Sequence, residues 1–132
     1  MTLSQKWIGV AAFLGMLAVA LGAFAGHGLE HRLSASALAT FKTANQYHFY
    51  HVGALFFALL SGVCFKLNQR AVHVAVIGFA AGIILFSGSL YLLALTGERL
   101  FAFITPVGGV VWIGAWAALA LSSVLKRGEA CK

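Results

Sequence analysis

Residues 7–25 read W-I-G-V-A-A-F-L-G-M-L-A-V-A-L-G-A-F-A, without one charged side chain. An α-helix rises about 1.5 Å per residue, so roughly 20 such residues cover the ~30 Å hydrocarbon of a bilayer, and this run is read as a transmembrane helix. Small residues recur along it at Ala11, Gly15, Ala18, Gly22 and Gly26. That is close to the small-xxx-small spacing with which helices approach one another in lipid, so this face is expected to meet another helix. Ala23-Phe24-Ala25 has the form of a signal-peptidase site. The apolar run exceeds the usual core of a signal peptide, however, and the segment is expected to stay with the mature chain.

The rest of the chain repeats the pattern. With 132 residues, 61% of them hydrophobic and 9% charged, residues 1–132 form a single transmembrane domain and not a soluble one. Three more apolar runs give spans at about 47–65, 71–95 and 105–125, and the fold expected is an all-α, integral membrane four-helix bundle. Ser34 or Ser36 can cap the second helix, which would start in the interface and enter the bilayer near Tyr47. The link from Lys66 to Arg70 is short enough only for antiparallel neighbours. Gly78 and Gly82 stand at GxxxG spacing in the third span, and Thr105-Pro106 has the form of an N-cap followed by proline at the first helical position.

The formal charge of +6 could point to nucleic acid, but the nine Lys and Arg residues are scattered between apolar runs and form no stripe. Topology accounts for them. Lys6, Lys66, Arg70, Lys126, Arg127 and Lys132 fall on one side of the four spans, and only Arg32, Lys42 and Arg99 on the other. By the positive-inside rule both termini are expected in the cytoplasm, N-in and C-in, with the two longer loops outside. Cys64 and Cys131 give no disulfide framework.

Polar side chains gather toward the outer ends of the spans. The stretch A-N-Q-Y-H-F-Y-H, Ala44 to His51, opens the second span, and Tyr47 and His51 share a face of it at i, i+4. In the third span Ser87 and Tyr91 have the same spacing, His27 follows the first span and Thr105 begins the fourth. His27, Tyr47, His51, Ser87, Tyr91 and Thr105 are therefore the candidate cluster, either a ligand site or an interhelical hydrogen-bonding network in the outer half of the bundle. His48 points away from His51 around the helix, and Asn45, Gln46 and His48 are expected to be interfacial.

No catalytic residue, metal or cofactor is predicted. His27-Gly28-Leu29-Glu30-His31 matches H-x-x-E-H, a zinc-peptidase pattern, yet its flanking glycines place it at a helix end, where two histidines do not share a helical face. Haem would need axial ligands on facing helices, whereas His48 and His51 lie on one. Phosphate loops and nucleophile elbows are absent from the sequence.

Four motifs in order, G-A-F-A-G-H-G-L (Gly22 to Leu29), Tyr47 to His51, F-S-G-S-L-Y (Phe86 to Tyr91) and T-P-V-G-G (Thr105 to Gly109), resemble the small bacterial membrane family described as domain of unknown function 423. Transmembrane protein 256 of vertebrates is similar. The resemblance implies a multi-pass protein of the bacterial inner, or plasma, membrane with no established activity. It covers nearly the whole chain, and it departs at Ala25-Gly26, where the family pattern has glycine and then alanine. The role expected is an accessory or interaction component of a membrane complex, or a homo-oligomer, with the lipid bilayer and other transmembrane helices or itself as partners and no nucleic acid. The alternative is a binder or transporter of a small hydrophobic or protonatable ligand through the outer polar cluster; an enzyme is the third reading.

Overall fold

The computed structural model describes residues 3–125. Four helices run in sequence: α1 (Leu3–His27), α2 (Ala35–Cys64), α3 (Gln69–Thr96) and α4 (Leu100–Val124). Each is long and apolar enough to cross a membrane. Within α3 the segment Ile83–Gly88 is wound as a π-helix. The chain packs in order, α1 on α2, α2 on α3 and α3 on α4. Consequently α2 and α3, with 44% of an 18-residue apolar window of each buried, form the centre, while α1 at 17% and α4 at 22% flank them.

One boundary differs from the sequence expectation, the start of the fourth helix, and each of the others has a local cause. α2 begins at Ala35, at the first of the two expected caps, where the Ser34 hydroxyl accepts the Ala37 N–H at 3.2 Å. Phe41 and Ala44 are then fully buried with Leu29, Tyr91 and Ala94, so the early turns belong to the core. At 30 residues, or about 45 Å, α2 exceeds the hydrocarbon thickness and must tilt or project beyond it.

The fourth helix starts at Leu100, which places Thr105 and Pro106 inside it and not at its N-terminus. Backbone in lipid has to satisfy its hydrogen bonds within the helix, and that requirement overrides the boundary signal of a single proline. The third helix starts at Gln69, capped by the Asn68 side chain, and stops where Gly97 adopts a left-handed φ of 73° and returns its N–H to Leu93.

Small residues set the close approaches. A Cβ on Gly78 would lie 2.7 Å from the Ala115 methyl, and one on Gly82 would strike the Trp112 ring, so α3 meets α4 through its GxxxG face. On α1 the buried face is Ala11, Leu14, Ala18 and Ala25, with Gly15 against Val52 and Gly22 against Asn45 of α2. Gly26 opens to empty space, because steps of four residues drift around the helix and Ala25 takes the inward position. The core of Leu55, Val76, Phe79 and Trp112 joins α2, α3 and α4, and Ala11 and Leu14 add α1. At the other end the Asn68 N–H donates to the Ser122 carbonyl at 2.9 Å, tying the 65–68 link to the last turn of α4.

Candidate functional site

The polar residues toward the two loop ends at Gly28 and Gly97 resolve into two groups on neighbouring faces of α2 and a third contact between α3 and α4. The first lies among α1, α2 and α3. Asn45 Nδ2 donates to the Ala18 carbonyl of α1 at 2.8 Å and to the Tyr91 hydroxyl of α3 at 3.1 Å. The Tyr91 oxygen is also 3.1 Å from His48 Nδ1, and Phe41 packs on the Tyr91 ring at 4.8 Å between centroids. Since Asn45 already donates into the Tyr91 oxygen, the phenolic proton is best used toward His48 Nδ1. That arrangement puts the proton of a neutral His48 on Nε2. Nε2 is buried and has no hydrogen-bond partner, although the Leu14 backbone of α1 lies toward the ring.

The second group lies among α2, α3 and α4 and is almost wholly aromatic. The His51 imidazole stacks on the Trp112 indole, 3.5 Å between centroids and 4° from parallel. Its Nδ1 is 2.8 Å from the Tyr47 carbonyl, and Trp116 Nε1 donates to Nε2 at 3.4 Å. Tyr47 packs on Phe86 at 5.2 Å and lies nearly parallel to Trp112 at 6.2 Å; Phe79 closes the inner side against Trp116 at 4.9 Å. Trp112 is positioned in turn by its Nε1–H, which donates to the Phe79 carbonyl at 3.2 Å.

A third contact joins α3 to α4 beside the π-helical segment. The hydroxyls of Ser89 and Thr105 are 2.7 Å apart, and each also lies within reach of a carbonyl of its own helix, Phe86 and Phe101. One of the two hydroxyl protons must therefore serve the Ser–Thr bond while the other serves a carbonyl. Nearby, a Cβ on Gly108 would fall 2.8 Å from the Leu85 carbonyl carbon and the Phe86 Cα, so the backbones of the two helices nearly touch. Ser87, in the same π-helical segment, is fully buried and its hydroxyl has no partner.

The six residues singled out from sequence are thus dispersed. Tyr47 and His51 are together, Tyr91 is with Asn45 and His48, Thr105 is with Ser89, Ser87 is alone, and His27 is exposed at the end of α1 outside all of them. The reading of Asn45 and His48 as interfacial is corrected: His48 is 3% exposed and Asn45 bonds two helices. Gln46, by contrast, is exposed and donates to Tyr50. The missed signal was the run Phe41, Ala44, His48, Val52 and Leu55, whose spacing of three and four marks the inward stripe of α2. His27 ends α1, whereas Glu30 and His31 are exposed in the turn after it, so the H-x-x-E-H residues do not share a helical face. Among the described residues no three His, Cys, Asp or Glu side chains converge as metal ligands.

Comparisons with known proteins agree with this architecture. The family model described as "Protein of unknown function (DUF423)" matches residues 21–109. The UPF0382 membrane protein of Haemophilus influenzae is 36% identical over 121 residues, 92% of this chain and 95% of that protein. The UPF0382 membrane protein YwdK of Bacillus subtilis is 39% identical over 122 residues, 91% of this chain and 97% of its own length. The UPF0382 inner membrane protein YgdD of Escherichia coli K12 is 37% identical over 121 residues, 89% of this chain and 88% of that protein. No solved structure matches the chain. Four apolar helices, a family model over most of the length and near-full-length relatives place this chain, a multi-pass inner-membrane protein, in the DUF423 family of membrane proteins.

Proposed function

We propose that the protein acts through helix–helix contact in the membrane, as an interaction or accessory component of a membrane complex or as a homo-oligomer. The observation that carries this reading is on α1. Beside the face it buries on α2, this helix has a second stripe, Gly9, Ala12, Met16, Val19, Ala23 and Gly26, in which every residue is exposed. The steps of three and four are those of a helix–helix seam, and a Cβ on Gly9 or Gly26 would meet nothing within 4 Å. Lipid contact does not call for small residues, whereas a partner helix gains close backbone packing from them. The polar groups support the same reading from inside: rings fill the space around His51, and Asn45, Tyr91 and His48 engage one another across three helices.

The test is the mass of the purified protein in nanodiscs, with any copurifying chain identified. Wild-type protein is expected as a multimer or a hetero-complex, and Gly9→Ile with Ala23→Leu is expected to shift it to a monomer of unchanged helix content. A wild-type monomer without a copurifying chain overturns the reading.

The second reading, binding of a small hydrophobic or protonatable ligand in the outer half, is favoured by the two buried polar atoms that lack partners, His48 Nε2 and Ser87 Oγ, and by the partly exposed Tyr47 above His51. A small molecule copurifying with wild-type protein, and absent from a His48→Phe preparation, would establish it over the first.

A further inference from the structure

An apolar groove of about 390 Å³ lies where α2 passes the first turns of α1, lined by Ile8, Phe56, Phe57, Leu59, Leu60 and Val63. From Phe56 to Val63 it extends about 10 Å along the helix axis, roughly two thirds of the ~15 Å of hydrocarbon in one leaflet. Its walls are aromatic or branched side chains, with neither glycine nor alanine among them. A second helix could not settle here as α4 does on Gly78 and Gly82, but a flexible hydrocarbon chain can follow such a surface.

The Val63 end of the groove is also the cationic end of the bundle. Lys66 follows Val63 by three residues and Arg70 lies in the first turn of α3, both exposed, whereas Lys6, at the same end of α1, stands about 200° around that helix from Ile8. The described carboxylates, Glu30 and Glu98, are in the loops at the opposite end. An apolar slot at the end of the bundle where the described residues carry cations and no carboxylate complements a molecule with an acyl chain and a negative head.

We propose that this groove is a binding site for an anionic phospholipid of the leaflet at the cationic end, one acyl chain lying along α2 and the phosphate held by Lys66. The site adjoins the Gly9 to Gly26 stripe of α1, since Ile8 stands one turn from Ala12, but it does not depend on the function proposed above.

Native mass spectrometry of the full chain, titrated with dioleoyl-phosphatidylglycerol and with dioleoyl-phosphatidylcholine, tests it, because the acyl chains are the same and only the headgroup charge differs. Retention of the anionic lipid about fivefold above the zwitterionic one is expected for one lysine at the headgroup. Lys66→Gln should abolish most of that preference at unchanged helix content, and Lys6→Gln should leave most of it. Leu60→Trp, at a position already exposed, should fill the groove and lower retention of both lipids. Equal retention of the two lipids by wild-type protein, or a preference that survives Lys66→Gln, overturns the proposal. So does a Leu60→Trp variant that changes oligomeric mass and leaves lipid retention intact, since the groove would then hold a second chain.

Discussion

His51 lies flat on Trp112, with ring centroids 3.5 Å apart, and is held at both nitrogens: Nδ1 by the Tyr47 carbonyl and Nε2 by the Trp116 N–H. The two partners specify one tautomer. A carbonyl can only accept and an indole N–H can only donate, so the proton of a neutral His51 belongs on Nδ1. Nitrogen-15 NMR of histidine-labelled protein should show a protonated Nδ1 and an acceptor Nε2 for His51. Trp116→Phe should move the Nε2 resonance and keep the Nδ1 proton. A wild-type spectrum with the proton on Nε2 would refute the assignment.

Asn45 and Tyr91 are coupled by a hydrogen bond of 3.1 Å that joins α2 to α3. Polar contacts between helices in lipid stabilise by about 0.6 kcal/mol on average and up to about 1.7, because alternative partners exist when the helices separate. A double-mutant cycle with Asn45→Ala and Tyr91→Phe, followed by denaturant unfolding in micelles, should give a coupling in that range. A coupling of zero would show that the bond does not form in the membrane protein.

Gly108 and Gly114 lie on the same helix, and only the first has a neighbour. A methyl group on Gly108 collides with the backbone of Leu85 and Phe86, which cannot rotate aside, whereas one on Gly114 meets nothing within 4 Å. Gly108→Ala should destabilise by about 1–3 kcal/mol, the usual range for an overpacked interior. Gly114→Ala should leave unfolding unchanged or slightly favour the helix, since alanine is the better helix former. Equal effects for the two variants would mean that α3 and α4 are farther apart than described.

Four spans return the chain to the side on which it began, and the distribution of Lys and Arg assigns that side to the cytoplasm. A fluorescent protein fused after Lys132 should therefore glow, and alkaline phosphatase at the same position should be inactive. The opposite pair of results would invert the topology.

What could be read from residues alone was the choice of solvent and the number of crossings, because runs such as 7–25 allow no other stable arrangement of the backbone in a bilayer. The inward use of Gly78 and Gly82, and of Ala11 and Ala18, was also legible, since small residues at helical spacing are a local pattern with one main physical purpose. Boundaries were less so. Thr105-Pro106 carries a true start signal, but a helix crossing lipid continues through a proline when its remaining backbone bonds can be kept.

Which polar residues meet was decided by the tertiary structure. On α2 both the Asn45 and His48 face and the Tyr47 and His51 face could have been the inner one, for their centres lie about 110° apart on a helix that has neighbours on more than one side. The helix that packs on each face made the difference: α1 and α3 enclose Asn45 and His48, while Trp112 and Trp116 of α4 reach across to His51. Helical periodicity describes one helix at a time, and the partners of a side chain depend on where the other helices stand.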